Sequence, residues 1–199
     1  MKEYTITKCS GAPNWESVPA LAIDTFLWCE PMDIRAEAKI CYDEEALYIY
    51  ERAWETHIRA EEHGPLGAPC QDSCLEFFFR PDPEDTRYFN IEFSPTGCMY
   101  LGFGNKLPDL VRLLPAHDPL KPQFERLEDG WSVSYKIPYT FIRQFFPAFR
   151  PVSGGCIRAN CYKCGDLTPV EHFIAWNPVV DGVYHTFHNP TQFGLMRFQ

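Results

Sequence analysis

Two neighbouring stretches constrain the fold of this chain more than any other, Gln71–Arg80 and Arg87–Phe93. Side chains on a β-strand point alternately to its two faces. Leu75, Phe77 and Phe79 then share one face, and Cys74, Glu76 and Phe78 the other. In the second stretch Phe89, Ile91 and Phe93 share a face, with Tyr88, Asn90 and Glu92 opposite. Each stretch reads as a strand with one wholly apolar face. Its other face carries a carboxylate or a carboxamide among aromatics. Carboxylates rarely stand in such company without a partner or a ligand.

The same reading extends along the chain. Ala36–Tyr42 and Ala46–Trp54 are strands joined by an Asp43-Glu44-Glu45 turn, and Glu55–Cys70 is a polar loop. Cys98–Phe103, Gln123–Leu127, Trp131–Ile137, Cys156–Lys163, His172–Trp176 and Phe193–Phe198 follow as strands. Residues 104–122 read as an excursion, and residues 1–35 as irregular, with Trp15, Phe26, Leu27 and Trp28 anchoring them to a sheet. Pro138–Phe149 is the one helix expected. Many short strands, Gly/Pro turns and a single short helix predict an all-β chain: an antiparallel β-sandwich, immunoglobulin- or jelly-roll-like, with residues 1–199 in one domain.

The formal charge of −9 argues against nucleic acid or an anionic membrane surface as a partner. No signal-peptide core and no membrane-spanning run is visible, so the sequence as written predicts a cytoplasmic protein, or an extracellular one if a leader has been removed. Nine cysteines cannot all pair. Reduced, buried thiols are the expectation.

Several phrases, taken in order, resemble a family 9 carbohydrate-binding module. They are Asp72-Ser73-Cys74-Leu75-Glu76-Phe77-Phe78, Tyr88-Phe89-Asn90-Ile91-Glu92 and Gly130-Trp131-Ser132-Val133. The strand with Arg158 and Asn160, Tyr162–Asp166, Ile174–Pro178 and Asn189–Gly194 complete the set. The resemblance implies a β-sandwich that binds sugar without catalysis, in polysaccharide or glycan breakdown, with bound calcium in a structural role. It also implies that Glu76 accepts hydrogen bonds from sugar hydroxyls. Asn90 stands where the family often has an arginine, and Phe187 where it has one wall of an aromatic clamp. The tryptophan of the other wall would fall near Pro69.

The residues support that chemistry in their own right. A sugar site needs a flat apolar platform and planar polar groups for hydroxyls. Glu76, Asn90 and Glu92 offer the polar groups from neighbouring strands, and Arg158 and Asn160 could add donors. Trp176, Phe187, Tyr184, His188 and Trp54 are the platform candidates. The bland alternatives are a structural Glu76–Arg158 ion pair and plain packing for Trp176 and Phe187. A small glycan-processing hydrolase using Glu76 and Glu92 as its carboxylate pair is the competing function, and a sandwich that has lost sugar binding is another. No cofactor is required. Asp82, Glu84 and Asp85 form the best oxygen cluster for a structural calcium ion, with a solvated turn as the alternative. Cys156-x4-Cys161-x2-Cys164 lacks a second knuckle for zinc, and Cys70 and Cys74 could complete it only through tertiary folding, so inert thiols are the expected reading.

Overall fold

The computed structural model describes residues 1–180 and 185–199. Its strands in chain order are β1 (Glu3–Lys8), β2 (Ala20–Ile23), β3 (Thr25–Phe26), β4 (Arg35–Tyr42), β5 (Ala46–Trp54), β6 (Cys74–Arg80) and β7 (Tyr88–Phe93). They continue as β8 (Met99–Gly104), β9 (Val111–Arg112), β10 (Gln123–Leu127) and β11 (Gly130–Pro138). The helix α1 (Tyr139–Ile142) comes next, then β12 (Cys156–Gly165), β13 (His172–Ala175) and β14 (Gly194–Phe198). Among the described residues no helix is long and apolar enough to cross a membrane.

The strands form two layers. The front sheet runs β1–β14–β12–β6–β7–β8–β9. β13 pairs with the last part of β12, on the edge that β14 uses further back, and β3 adds beyond it. The back sheet runs β10–β11–β5–β4, with β2 on the far edge of β4. β1 belongs to both: Glu3–Ile6 pair with β14, and Thr7 and Lys8 with β4. These two ladders are parallel and the others antiparallel, so the expected antiparallel sandwich holds with β1 as its exception.

The periodicity decides which faces meet. Leu75, Phe77, Phe79, Phe89, Ile91 and Phe93 of the front sheet are fully buried against Ala38, Ile40, Leu47, Ile49, Val133 and Ile137 of the back sheet. Burying a side chain of this size contributes about 1.5–3 kcal/mol, so this layer dominates the fold. Two charged groups also enter it. Lys163 on β12 and Glu55, just after β5, are both buried, and they meet across the two sheets at 3.2 Å. Trp131 Nε1 and Ser73 Oγ donate to the same carboxylate at 3.1 and 2.9 Å, and Lys163 Nζ meets His172 Nε2 at 2.8 Å.

Three expectations need correction. Residues 1–35 contain β1, β2 and β3, whose signal was weak because β1 and β2 bury only two side chains each, Tyr4 and Ile6 or Leu21 and Ile23, and β3 buries none. The helix expected over Pro138–Phe149 is four residues long. β11 runs through Pro138, and after Ile142 the backbone decays into tight turns before Pro147, which lacks an N–H. β12 extends past Lys163 to Gly165, which brings Cys164 into the ladder.

Candidate functional site

The outer face of the front sheet is itself half covered. Phe78, Tyr88, Tyr162, Phe187, Phe193 and Leu27 form a second apolar cluster there, with Trp28 and Phe173 packed at its margin. Where that cover stops, a cavity of about 160 Å³ opens, with Glu76, Glu92, Cys164, Cys70 and Asp166 as its polar floor. Its walls are Trp28, Phe173, Phe187, His185 and His188.

Strand register explains the floor. Glu76 stands opposite Glu92 of β7 on one side and Tyr162 of β12 on the other. Asn90 and Glu92 are two apart on one strand, so they share a face, and Asn90 Nδ2 donates to Glu92 Oε1 at 2.9 Å. Cys164 faces Cys74 across the β6–β12 ladder, and its Sγ meets Glu76 Oε1 at 2.9 Å. Asp166 follows in the turn after β12, where its N–H donates to the Cys70 carbonyl at 3.0 Å.

Asp72 and Ser73, just before β6, serve a different purpose. The buried Asp72 carboxylate accepts from Arg59 Nη1 at 2.5 Å and from the backbone N–H groups of Glu61 and Glu62 at 3.0 and 2.9 Å. Ser73 Oγ donates to Glu55. The first half of the Asp-Ser-x-x-Glu phrase pins a loop, and its glutamate reaches the pocket.

Electrostatics single out the carboxylates. Glu76 is 2% exposed and Glu92 7%. Burial, and then the charge of Glu92, push Glu76 well above the usual carboxylate range. Burial pushes Glu92 up to about 7, against the opposing hydrogen bond from Asn90. Asp166 is also raised by burial. Two carboxyl groups so placed do not both ionise easily near neutrality. The pair can then accept from one hydroxyl and donate to another, and a sugar hydroxyl does both. His188 is pushed down to about 4 by burial, so it is neutral near pH 7, and its Nδ1 shares a hydrogen bond with Tyr88 Oη at 2.7 Å.

Phe187 does stand at the pocket wall, but as one layer of a stack. It lies 4.1 Å from the Tyr162 ring at an interplanar angle of 10°, with Trp28 on its other side at 5.7 Å. Trp28 takes a left-handed backbone, φ 55°, which bulky residues rarely adopt, and its ring stacks on His185 at 4.9 Å. Trp28 therefore supplies an aromatic wall from the N-terminal segment, while Pro69 opens a short 3-10 turn, Pro69–Gln71.

Other expected site residues lie elsewhere. Trp176 is buried between the sheets, its ring so close over Gly194 that a Cβ there would come within 2.4 Å. Asn160 shares the outer face but is committed to Asn177, accepting from its N–H at 2.8 Å and donating to its carbonyl at 2.9 Å. Arg158 lies opposite Arg80 and meets the Met1 sulfur, four residues along the strand from the Tyr162 that faces Glu76, so the Glu76–Arg158 ion pair does not form. Trp54 carries Arg52 and Arg35 over its ring on the back sheet. Tyr184 lies outside the described residues. Trp28, Asp166, Phe173 and His185 were not singled out by sequence as sugar-site residues, and Cys70 only as a thiol that tertiary folding could bring to a cysteine site. Asp166 was the most accessible of them, since it ends the Tyr162–Asp166 phrase.

The loop proposed for calcium does not fit that ion. Both Asp85 oxygens are held by the Arg87 guanidinium, Oδ2 at 2.6 Å, and Asp82 Oδ1 accepts the Glu84 N–H at 2.9 Å. A cation there would meet a fixed positive charge and a closed turn rather than the six or more free oxygens calcium takes. A second cavity, about 170 Å³, opens at one end of the sandwich beside Glu55, His57, His172 and Met32. Its buried ionic groups are already paired with Lys163, Trp131 and Ser73.

A two-layer β-sandwich with carboxylates gathered under an aromatic wall on one sheet face defines a ligand-binding module. The chain belongs to carbohydrate-binding family 9, whose model matches residues 12–198. Among solved structures, a suspected carbohydrate-binding protein of Bacteroides uniformis superposes with a TM-score of 0.82 at 23% identity, over 100% of this chain and 99% of that one. A family 9 carbohydrate-binding module of Caldicellulosiruptor kristjanssonii, determined with glucose, gives 0.71 at 14% identity, over 100% and 96%. The same description with cellotriose gives 0.73 at 14%, over 100% and 94%. At these identities the likeness concerns the fold. A comparison with curated proteins finds none that matches.

Proposed function

We propose that this chain binds the end of a neutral mono- or oligosaccharide in the outer-face pocket, without catalysis. The observation that carries the reading is the convergence of Glu76, Glu92 and Asp166 beneath Trp28, Phe173 and Phe187. The aromatic wall offers apolar surface to a ring's C–H groups, and the paired carboxyls bracket its hydroxyls. A cavity of about 160 Å³ lies below the roughly 300–1,000 Å³ of pockets for drug-sized ligands, which favours one terminal sugar over a chain threaded along the sheet. Membership of a carbohydrate-binding family supports the same class of ligand. The neighbours determined with glucose and cellotriose make glucose-ended sugars the first to try.

A hydrolase reading needs an acid and a second carboxylate flanking the bond in distinct environments. Glu76 and Glu92 instead share one buried patch, side by side, and burial raises both. Calorimetric titration with glucose, cellotriose and galactose tests the proposal. The expected result is saturable heat with at least one sugar, weakened about tenfold in Glu76→Gln, as for loss of a buried hydrogen-bond partner. Absence of heat at millimolar sugar with folded protein sinks it. Release of sugar from aryl glycosides would overturn the non-catalytic part.

A further inference from the structure

Two buried thiols, Cys164 in the pocket floor and Cys74 beside it beneath the floor, have no task in binding a sugar. Cys74 and Cys164 lie opposite each other on β6 and β12, and Glu76, two residues from Cys74, projects from the same face. All three are buried, and one ligand atom from each lies within 4.8 Å of the others. Cys164 Sγ already stands 2.9 Å from Glu76 Oε1. Among the described residues no other trio of histidine, cysteine and carboxylate side chains is gathered this way.

We propose that Cys74, Cys164 and Glu76 bind a single thiolate-preferring divalent ion, of which zinc is the type. The donor set decides the class. Two sulfurs and one carboxylate do not suit calcium or magnesium, which want six or more oxygens. Soft thiolates select zinc and similar ions, and zinc takes sulfur at about 2.3 Å and carboxylate oxygen at about 2.0–2.2 Å. In a tetrahedron such bonds place two sulfurs roughly 3.8 Å apart and sulfur and oxygen roughly 3.6 Å apart, so the Cys164 Sγ–Glu76 Oε1 contact of 2.9 Å opens as the ion enters, within a cluster that already lies inside 4.8 Å.

Charge points the same way. Glu76, Glu92 and Asp166 crowd one small cavity, and the described lining residues include no lysine or arginine. A divalent cation offsets that crowding, which the nearby Arg112 charge eases only at Glu92. Binding replaces the two S–H protons by two S–metal bonds and the proton held on the Glu76 carboxyl by an O–metal bond, and releases these protons to solvent, with no redox change. Three protein ligands leave a fourth position. Because Glu76 and Cys164 line the cavity, that position faces it and takes water. The sequence run Cys156-x4-Cys161-x2-Cys164 does not itself form the cluster: Cys161 points into the inter-sheet core, and the partner of Cys164 is Cys74 of β6, joined to it by tertiary folding.

The test uses the whole chain, kept reduced and loaded separately with zinc and cobalt(II). One equivalent of zinc should survive dialysis, and cobalt should give an intense thiolate-to-metal charge-transfer band in the near ultraviolet. Cys74→Ser and Cys164→Ser should each weaken zinc binding more than tenfold, and Cys29→Ser should not. If cobalt shows only weak, six-coordinate-type absorption in the wild type, the site does not exist, whatever the variants do. Zinc retention unchanged in the Cys74→Ser/Cys164→Ser variant overturns it equally. Sugar titrations on metal-free protein separate this proposal from the sugar reading, because either can fail while the other stands.

Discussion

Glu76 and Glu92 stand directly opposite each other on adjacent strands, both buried, on the sheet face turned away from the core. Like charges directly opposite on a sheet are destabilising. A fold that keeps such a pair trades stability for chemistry at that point. Glu92→Gln should therefore raise the melting temperature, by roughly 2–4 °C per kcal/mol gained in a chain of this size. It should also weaken sugar binding. Thermal unfolding and calorimetry on one sample read both effects. Loss of stability together with unchanged affinity would make Glu92 a structural carboxylate.

Trp28 lines the pocket from the N-terminal segment with a left-handed backbone. Trp28→Ala should lower sugar affinity about two- to tenfold, the scale of an aromatic contact, and Trp28→Phe should recover most of it. The backbone supplies a second reading. Glycine adopts this conformation freely, whereas an L-residue pays about 1–2 kcal/mol. Trp28→Gly should then be at least as stable as Trp28→Ala, reversing the order seen in ordinary strands. Chemical denaturation of the two variants gives the answer.

Much of this was legible in the sequence. The period-two runs of β6 and β7 announced which face holds Leu75, Phe77 and Phe79 and which holds Glu76 and Glu92, because a buried core on one face fixes register. What escaped was whatever depends on which strands become neighbours. Cys74 and Cys164 are 90 residues apart and meet only because β12 pairs with β6. Trp176 and Phe187 look alike as sequence, yet one fills the core and the other walls the pocket. Trp28 was read as an anchor, since nothing local signals a left-handed tryptophan. Lys163 sits at a core-facing position of β12 where an apolar residue would be expected, and its partner Glu55 comes from the other sheet.

Glu51 is buried in β5 between the sheets, with Tyr135 Oη donating to one oxygen at 3.1 Å and no hydrogen-bond partner for the other. Burial pushes it up to about 8, against the opposing hydrogen bond from Tyr135. A pKa raised on folding means the native state holds a proton that the unfolded chain releases. This contribution is fully present below the ordinary value near 4.5 and is lost as pH rises towards 8. Wild-type stability should fall by on the order of a few kcal/mol over that window. In Glu51→Gln the part of this slope due to Glu51 should be lost, leaving the shallower slope of Glu76, Glu92 and Asp166 and making the variant the more stable protein at pH 8. Urea midpoints at pH 5, 6.5 and 8 measure the effect, and parallel curves for the two proteins would refute it.

Lys163 and Glu55 join the two sheets through one buried contact at 3.2 Å. Breaking a buried pair by removing one partner typically costs about 3–5 kcal/mol, because the other charge is stranded, whereas replacing both by apolar groups can be neutral. Lys163→Met should therefore destabilise strongly, leaving Glu55 with only Trp131 and Ser73 as donors. Glu55→Gln on its own strands the ammonium beside His172, which burial and the Lys163 charge hold down to about 4 and so neutral near pH 7. Combining the two changes should restore a substantial part of the loss, giving a coupling energy of about 1–3 kcal/mol in a double-mutant cycle. Denaturant unfolding of the four proteins at pH 7 measures that coupling. A value near zero would mean that the sheets are held by apolar packing alone, with Lys163 and Glu55 satisfied independently by their hydrogen bonds.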